Sequence, residues 1–194
     1  MLNYLFALII YLSFVVLIFA LKINPKPNKK SIALSILLPV ISLILQLVLE
    51  WVLYAAIYII PDVKSFYFTV GIIINVIDLA LPFITVLLIG KINGLKVSLK
   101  MVLAIASVFV LLSFILKLII ISGDWQLYED EYLTDAILNG SELDLLTTGN
   151  DLMILQKFLV VINAIPTVIL EIFTIVKSLE VKKSRKSNLR KKAN

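Results

Sequence analysis

The chain has 194 residues, 61% of them hydrophobic, and a mean hydropathy of +1.05. A soluble domain of this size could not bury that much apolar surface. The chain contains no Cys and no His, which excludes disulfides, thiolate nucleophiles, imidazole bases and Cys/His metal sites. It also lacks a Gly-rich phosphate loop, so we expect no enzymatic activity, no cofactor and no metal.

Apolar runs of about 20 residues, the length that crosses a hydrocarbon core, recur along the chain. Backbone groups in lipid must be satisfied within their own segment, so these runs must be helical. We predict an all-α integral membrane protein with five transmembrane helices: 2–21, 31–60, 66–89, 99–121 and 152–178. They form a membrane domain over residues 1–178, followed by a basic cytoplasmic tail over 179–194.

The first two spans carry separate expectations. The first has no basic residue before it and no small-residue cleavage site before Lys22, so we expect a retained helix and not a signal peptide. It has no polar stripe, which predicts a peripheral position. The second span would be roughly 45 Å long at the helical rise, more than a ~30 Å core. We expect it to tilt, to bend at Pro39 or to begin at the interface.

The charges predict the orientation. Basic residues collect after the first span, after the third span and in the tail, which has seven. The loop over 122–151 has eight acids and no Lys or Arg. Because positive residues stay on the cytoplasmic side, we predict an outer N-terminus and a cytoplasmic C-terminus. Aromatic residues of an outer interfacial belt agree: Tyr54, Tyr58, Tyr67, Trp125 and Tyr128.

Polar residues recur at helical spacing inside four of the spans. The second span carries Ser31, Ser35, Pro39, Ser42, Gln46 and Glu50, and the third carries Gly71, Asn75, Asp78, Pro82 and Thr85. The fifth carries Asn163, Thr167, Glu171, Thr174 and Ser178, and the fourth carries Ala106, Ser113 and Lys117. Because lipid cannot satisfy polar groups, we expect these stripes to face one another.

Two interpretations of the stripes stay open. Structural hydrogen bonds between helices are the simpler one. The other is a mid-membrane cation, proton or ligand site built from seven residues: Gln46, Glu50, Asn75, Asp78, Lys117, Asn163 and Glu171. Within that site we expect an ion pair of Lys117 with Asp78 or Glu50. A protonated carboxyl is the alternative, because burial disfavours the charged form.

The acidic loop predicts an amphipathic outer helix. Trp125, Tyr128, Tyr132 and Ala136 recur at helical spacing, and the helix should end near Asn139 on the outer membrane surface. Its side chains form a candidate docking surface for a cationic protein partner: Trp125, Glu129, Asp130, Glu131 and Asp135. A solvated acidic face without a partner is the alternative.

The ends of the chain bear on location. The basic tail is expected to bind anionic lipid, and no nucleic acid is expected as a partner. The Ile/Lys/Asn-rich, Cys-free composition is typical of Gram-positive bacteria of low GC content, which predicts a plasma-membrane protein. A glycosylation sequon at Asn139 and the final KKAN, which resembles a dilysine retrieval signal, favour the endoplasmic reticulum instead.

Two functions follow from these features. The first is a non-enzymatic membrane protein that binds a partner in or at the plasma membrane, as an immunity-type or secretion and assembly accessory protein. In size and layout, though in no motif, the chain resembles small multi-span proteins that accompany bacterial toxin or secretion clusters. The second is a small transporter, or a transporter subunit, with its site on the second, third and fifth spans. An oligomer is compatible with either.

Overall fold

A computed structural model describes residues 2–24, 27–57, 63–96, 99–133 and 142–193. These residues form five α-helices and no strand. They are α1 (Leu2–Ala20), α2 (Lys29–Ile57), α3 (Val63–Ile92), α4 (Leu99–Leu133) and α5 (Glu142–Ala193). Helices α2 to α5 are long and apolar enough to cross a membrane, and the apolar stretch of α1, Tyr4–Ala20, is shorter. The predicted all-helical class is therefore confirmed.

Local chemistry sets three of the helix ends. The Asn28 side chain accepts a hydrogen bond of 2.6 Å from the Ser31 backbone N–H and caps the start of α2. Helix α3 ends where Gly94 adopts a positive φ of 67° and Leu95 N–H reaches back to the Gly90 carbonyl at 2.9 Å. Helix α1 ends in the same pattern, with Lys22 at a φ of 49°.

The helix predicted inside the 122–151 loop is not a separate element, which corrects the sequence reading. Helix α4 continues through Leu133 and α5 begins at Glu142, so the segment from Trp125 to Leu133 prolongs α4. Leu152 of α5 packs against Gly123: a Cβ there would be 2.6 Å from Leu152 Cδ2. The glycine therefore serves close helix packing and does not mark the end of α4. Residues 134–141, with the sequon at Asn139, lie outside the described residues.

The bundle is apolar on the outside and polar on the inside. Large aliphatic and aromatic side chains point outward from α2, α4 and α5, with Trp51 70% and Val108 65% exposed. The buried residues include Gln46, Asn75 and Asn163. A water-soluble protein shows the opposite distribution. The surface therefore suits a lipid environment.

The predicted polar stripes do face inward. All their members are buried or partly buried, and those in the bundle centre include Ser35, Ser42, Thr85, Ser113, Thr167 and Thr174. Helix α3 lies at the centre and contacts the other four helices, and α5 contacts α1, α3 and α4. This arrangement lets the stripes of α2, α4 and α5 all meet near α3.

Helix α1 is not peripheral, and that prediction was wrong. It contacts α2, α3 and α5, and Tyr11, Phe14 and Ile18 are fully buried in the core with Val86 of α3. The sequence pattern missed this because the buried face of α1 is almost as apolar as its exposed face. Close packing, and not polarity, selects the buried face.

We expect Phe14→Ala to destabilise the bundle by about 3–5 kcal/mol, because it leaves a cavity in the core. Leu12→Ala is the matched control: Leu12 lies on the same helix but is 54% exposed, so its loss should cost within about 0.5 kcal/mol. Unfolding in mixed micelles measures both. Equal effects of the two substitutions would contradict the central position of α1.

Candidate functional site

The bundle has two chemically distinct ends. At the basic end, Lys182 Nζ of α5 donates to the carbonyls of Leu21 and Lys22, each at 3.0 Å. At the aromatic end, the rings of Tyr67 and Trp125 lie 5.9 Å apart, and Lys64 Nζ sits 5.5 Å from the Trp125 ring centre. Helix α5 and the turn between α1 and α2 therefore meet at the end opposite Trp125.

Side chains of α2 and α3 form hydrogen bonds at successive levels between these ends. Nearest the aromatic end, Gln46 Nε2 donates to Asp78 Oδ1 at 2.5 Å. About one turn further along α2, and two turns further along α3, Thr85 Oγ1 donates to Ser42 Oγ at 2.9 Å. Asn93 Nδ2 then donates to Ser35 Oγ at 2.8 Å near the basic end. These bonds fix the register of α2 against α3.

Helix α1 adds two tyrosines to the polar groups of α2. Tyr4 Oη donates to Glu50 Oε2 at 2.8 Å, and Tyr11 Oη lies 3.0 Å from Ser42 Oγ. Tyr11 is buried at the Ser42–Thr85 level. The two hydroxyls therefore attach α1 to the same face of α2 that bonds to α3.

A second cluster joins α3, α4 and α5 at the middle of the bundle. Asn75 Nδ2 donates to Ser113 Oγ at 3.0 Å, and Ser113 Oγ donates to Asn163 Oδ1 at 2.5 Å. Asn163 Nδ2 donates to Asn75 Oδ1 at 3.1 Å and closes a ring. All three side chains are buried. Mutual hydrogen bonding satisfies amides that lipid could not.

Above this ring, a cavity of about 490 Å³ opens at the aromatic end. Every helix contributes to its wall. Its polar lining residues are Tyr4, Glu50, Tyr54, Tyr67, Asp78, Lys117, Asp124, Gln156, Lys157 and Asn163. The cavity thus combines three carboxyls, two amines and three phenols within an otherwise apolar bundle.

Lys117 is the most deeply placed amine of the cavity. Asp78, Asp124 and Glu50 all lie near enough to interact with its charge. The ion pair of Lys117 with Asp78 or Glu50 stays a prediction; the ion pair described on the surface of α5 joins Lys177 and Glu180. Lys117, Asp78 and Glu50 all line the cavity.

The structure brings six of the seven predicted site residues together. Glu50, Asp78, Lys117 and Asn163 line the cavity, while Gln46 and Asn75 hydrogen-bond to lining residues. Glu171 lies eight residues beyond Asn163 on α5, which places it about 12 Å closer to the basic end. It belongs to a different part of the bundle.

Sequence reasoning missed five residues near this site. They are Tyr4, Tyr11, Asp124, Gln156 and Lys157. Tyr4 and Tyr11 are seven residues apart, a spacing that places both on one helix face, and this signal was available. Asp124 and Lys157 lie near the predicted ends of spans, where charged residues ordinarily face water. Nothing in the sequence pattern distinguished them from such water-facing charges.

The predicted docking surface lies largely outside the described side chains. Trp125 packs near Tyr67, but the side chains of Glu129, Asp130 and Glu131 are not described, and Asp135 falls in 134–141. The partner-binding accessory or immunity-type role depends on that surface and stays a prediction. No protein-family model, curated protein or solved structure matches this chain.

We expect Asn75→Ala and Ser113→Ala to be energetically coupled, because the two side chains share a buried hydrogen bond. A double-mutant cycle on unfolding free energy should give about 0.6–1.7 kcal/mol of coupling, the range of such bonds in membranes. Ser107→Ala is the control partner, since exposed Ser107 donates to the Ala104 carbonyl of its own helix. Coupling of Asn75 to Ser107 equal to that with Ser113 would contradict the ring.

Proposed function

We propose that this protein is a non-enzymatic, multi-span membrane protein that binds a small, positively charged polar molecule in the cavity. It would act as a small transporter or as the binding subunit of one. The observation that carries the proposal is the cavity itself. Its volume of about 490 Å³ falls within the range of small-molecule sites, about 300–1,000 Å³.

The charged residues that line the cavity do more than form hydrogen bonds between helices. Polar groups that only join helices pack against each other, as Asn75, Ser113 and Asn163 do. Glu50 and Asp78 also accept hydrogen bonds from other helices, but together with Lys117 they border open space. Ionisable groups within membrane spans are costly and mark ligand or ion pathways. A bound ligand would supply the contacts that the cavity leaves open.

The balance of charge favours a cation as the ligand. Three carboxyls of the cavity face two amines, and Glu50 and Asp78 lie on the wall formed by α2 and α3. Their oxygens are already oriented by hydrogen bonds from Tyr4 and Gln46. A ligand ammonium group placed beside them would meet two oriented carboxyls, while the tyrosine rings offer cation–π contact. Lys117 would disfavour a second positive charge further in.

We also propose that all five helices cross the membrane, with the aromatic end outside and the basic end in the cytoplasm. The turn after α1, the end of α3 and the C-terminal part of α5 gather lysines at one end, and Tyr54, Tyr67 and Trp125 lie at the other. Cytoplasmic lysines and interfacial aromatics follow this rule. The cavity would then take its ligand from the outer side.

The chain is free of cysteine, so single cysteines report on the cavity without background. We expect Val160→Cys, in the cavity wall, to react faster with a cationic than with an anionic methanethiosulfonate reagent, by about tenfold or more. Adding Glu50→Gln and Asp78→Asn should remove most of this preference. Mass spectrometry of the labelled protein in proteoliposomes measures the rates.

Ile154→Cys is the matched control on the same helix. Ile154 is 49% exposed on the apolar surface, so its thiol should face lipid and react poorly with both charged reagents. A Val160→Cys protein that reacts no faster than Ile154→Cys, or that prefers the anionic reagent, would count against a cation-binding cavity.

The orientation has its own test in intact cells. We expect an impermeant maleimide added outside to label Tyr67→Cys at the aromatic end but not Asn24→Cys at the basic end. Permeabilisation should make Asn24→Cys reactive, because the lysine-rich end is cytoplasmic. The reverse pattern would invert the proposed topology without bearing on the charge of the cavity.

A further inference from the structure

Beyond the cavity, the polar stripe of α5 continues toward the basic end as Thr167, Glu171 and Thr174. Each of these side chains is at least 95% buried. Thr167 Oγ1, Glu171 Oε1 and Thr174 Oγ1 have no hydrogen-bond partner within the part of the chain that the structure describes. Residues three and four apart are neighbours on a helix, so the three oxygens lie along one face.

This lack of partners sets the three residues apart from the other buried hydroxyls. Thr85 donates to Ser42 Oγ, Ser35 to the Ser31 carbonyl and Ser178 to the Thr174 carbonyl. A buried polar atom without a partner costs free energy that an apolar side chain would not. Three such atoms on adjacent turns indicate a site whose partner is not part of the chain.

Within the part of the chain that the structure describes, Glu171 has no counter-ion. Helix α5 packs against α1, α3 and α4; α1 carries no charged residue. The charged side chains described on the other three helices are Lys64, Asp78 and Lys91 on α3, Lys100, Lys117 and Asp124 on α4, and Asp151, Lys157, Lys177, Glu180, Lys182 and Lys183 on α5. None of these described side chains forms an ion pair with Glu171. Lys177 is turned to Glu180 on the exposed face.

We propose that Glu171 is a proton-binding site, and that the hydroxyls of Thr167 and Thr174 hold the water molecules through which the proton reaches it. An ionised carboxylate here would be buried without a paired charge, and a proton removes that charge without a coordination shell. One carboxyl and two hydroxyls fall short of the six or more oxygens that Ca²⁺ takes. Threonine hydroxyls both donate and accept hydrogen bonds, as a proton relay requires.

Asn163 connects this site to the cavity. Asn163 lines the cavity floor, and Thr167 lies one turn beyond it, about 6 Å along the helix. The proton would enter from cavity water, pass the Thr167 hydroxyl and bind a Glu171 carboxylate oxygen. The proton would then leave Glu171 past Thr174, along the same polar stripe toward Ser178. The inference stands whether or not the cavity binds a cation, since it rests on different residues.

Infrared spectroscopy of the full chain in liposomes tests the site directly. We expect a carbonyl-stretch band of a protonated carboxyl at neutral pH that Glu171→Gln removes. Glu180→Gln is the matched control: Glu180 is on the same helix, but its side chain is 61% exposed, so the band should stay. Raising the pH to about 10 should remove the band in the unaltered protein as Glu171 loses its proton.

A second variant tests the relay and keeps Glu171 in place. Thr167→Val should slow the exchange of the Glu171 carboxyl proton for deuterium at least about tenfold, seen as a delayed shift of the same band in heavy water. A band that Glu171→Gln leaves unchanged would overturn the proposal. Loss of the band on addition of sodium ions at constant pH would also overturn it, because it would show a cation site. Deuterium exchange in Thr167→Val as fast as in the unaltered protein would overturn the relay.

Discussion

The constraint on which this structure depends is that polar side chains in an apolar surround can bond only to other polar groups of the chain. The outer faces of α2, α4 and α5 carry mostly large aliphatic and aromatic side chains, so most amides and hydroxyls turn inward. There they set the register of the helices: Gln46 meets Asp78, Ser42 meets Thr85, and Ser35 meets Asn93. Dispersion and close packing then fill the remaining contacts.

Much of this arrangement can be predicted from the sequence, because in a helix suited to lipid the polar residues mark the side that faces the other helices. The spacing of Asn75, Ser113 and Asn163 on separate spans predicts that all three face inward, and they meet in one ring. Periodicity gives the face of a helix but not its depth relative to another helix. For this reason the spacing leaves open whether Lys117 pairs with Asp78 or with Glu50, and the structure shows all three bordering one cavity.

Two features could not be read from the pattern. The burial of α1 depends on the shape of Tyr11 and Phe14 against its neighbours, and an apolar helix has no polarity contrast to reveal its inner face. The close packing of Leu152 of α5 against Gly123 inside α4 is the second feature. Both are tertiary effects, and neither changes the hydropathy of the segment concerned.

Helix α5 carries a further consequence. It runs for 52 residues from Glu142 to Ala193 without a break, which corresponds to about 78 Å at the helical rise, more than twice the thickness of a hydrocarbon core. Asn163 and Glu171 therefore lie on the same helix as its lysine-rich C-terminal segment, with Pro166 between them, where the backbone hydrogen-bond ladder is interrupted. A small bend at Pro166 would swing the distal end of α5 through a much larger arc, so that a change among the buried side chains would have a mechanical readout at that end.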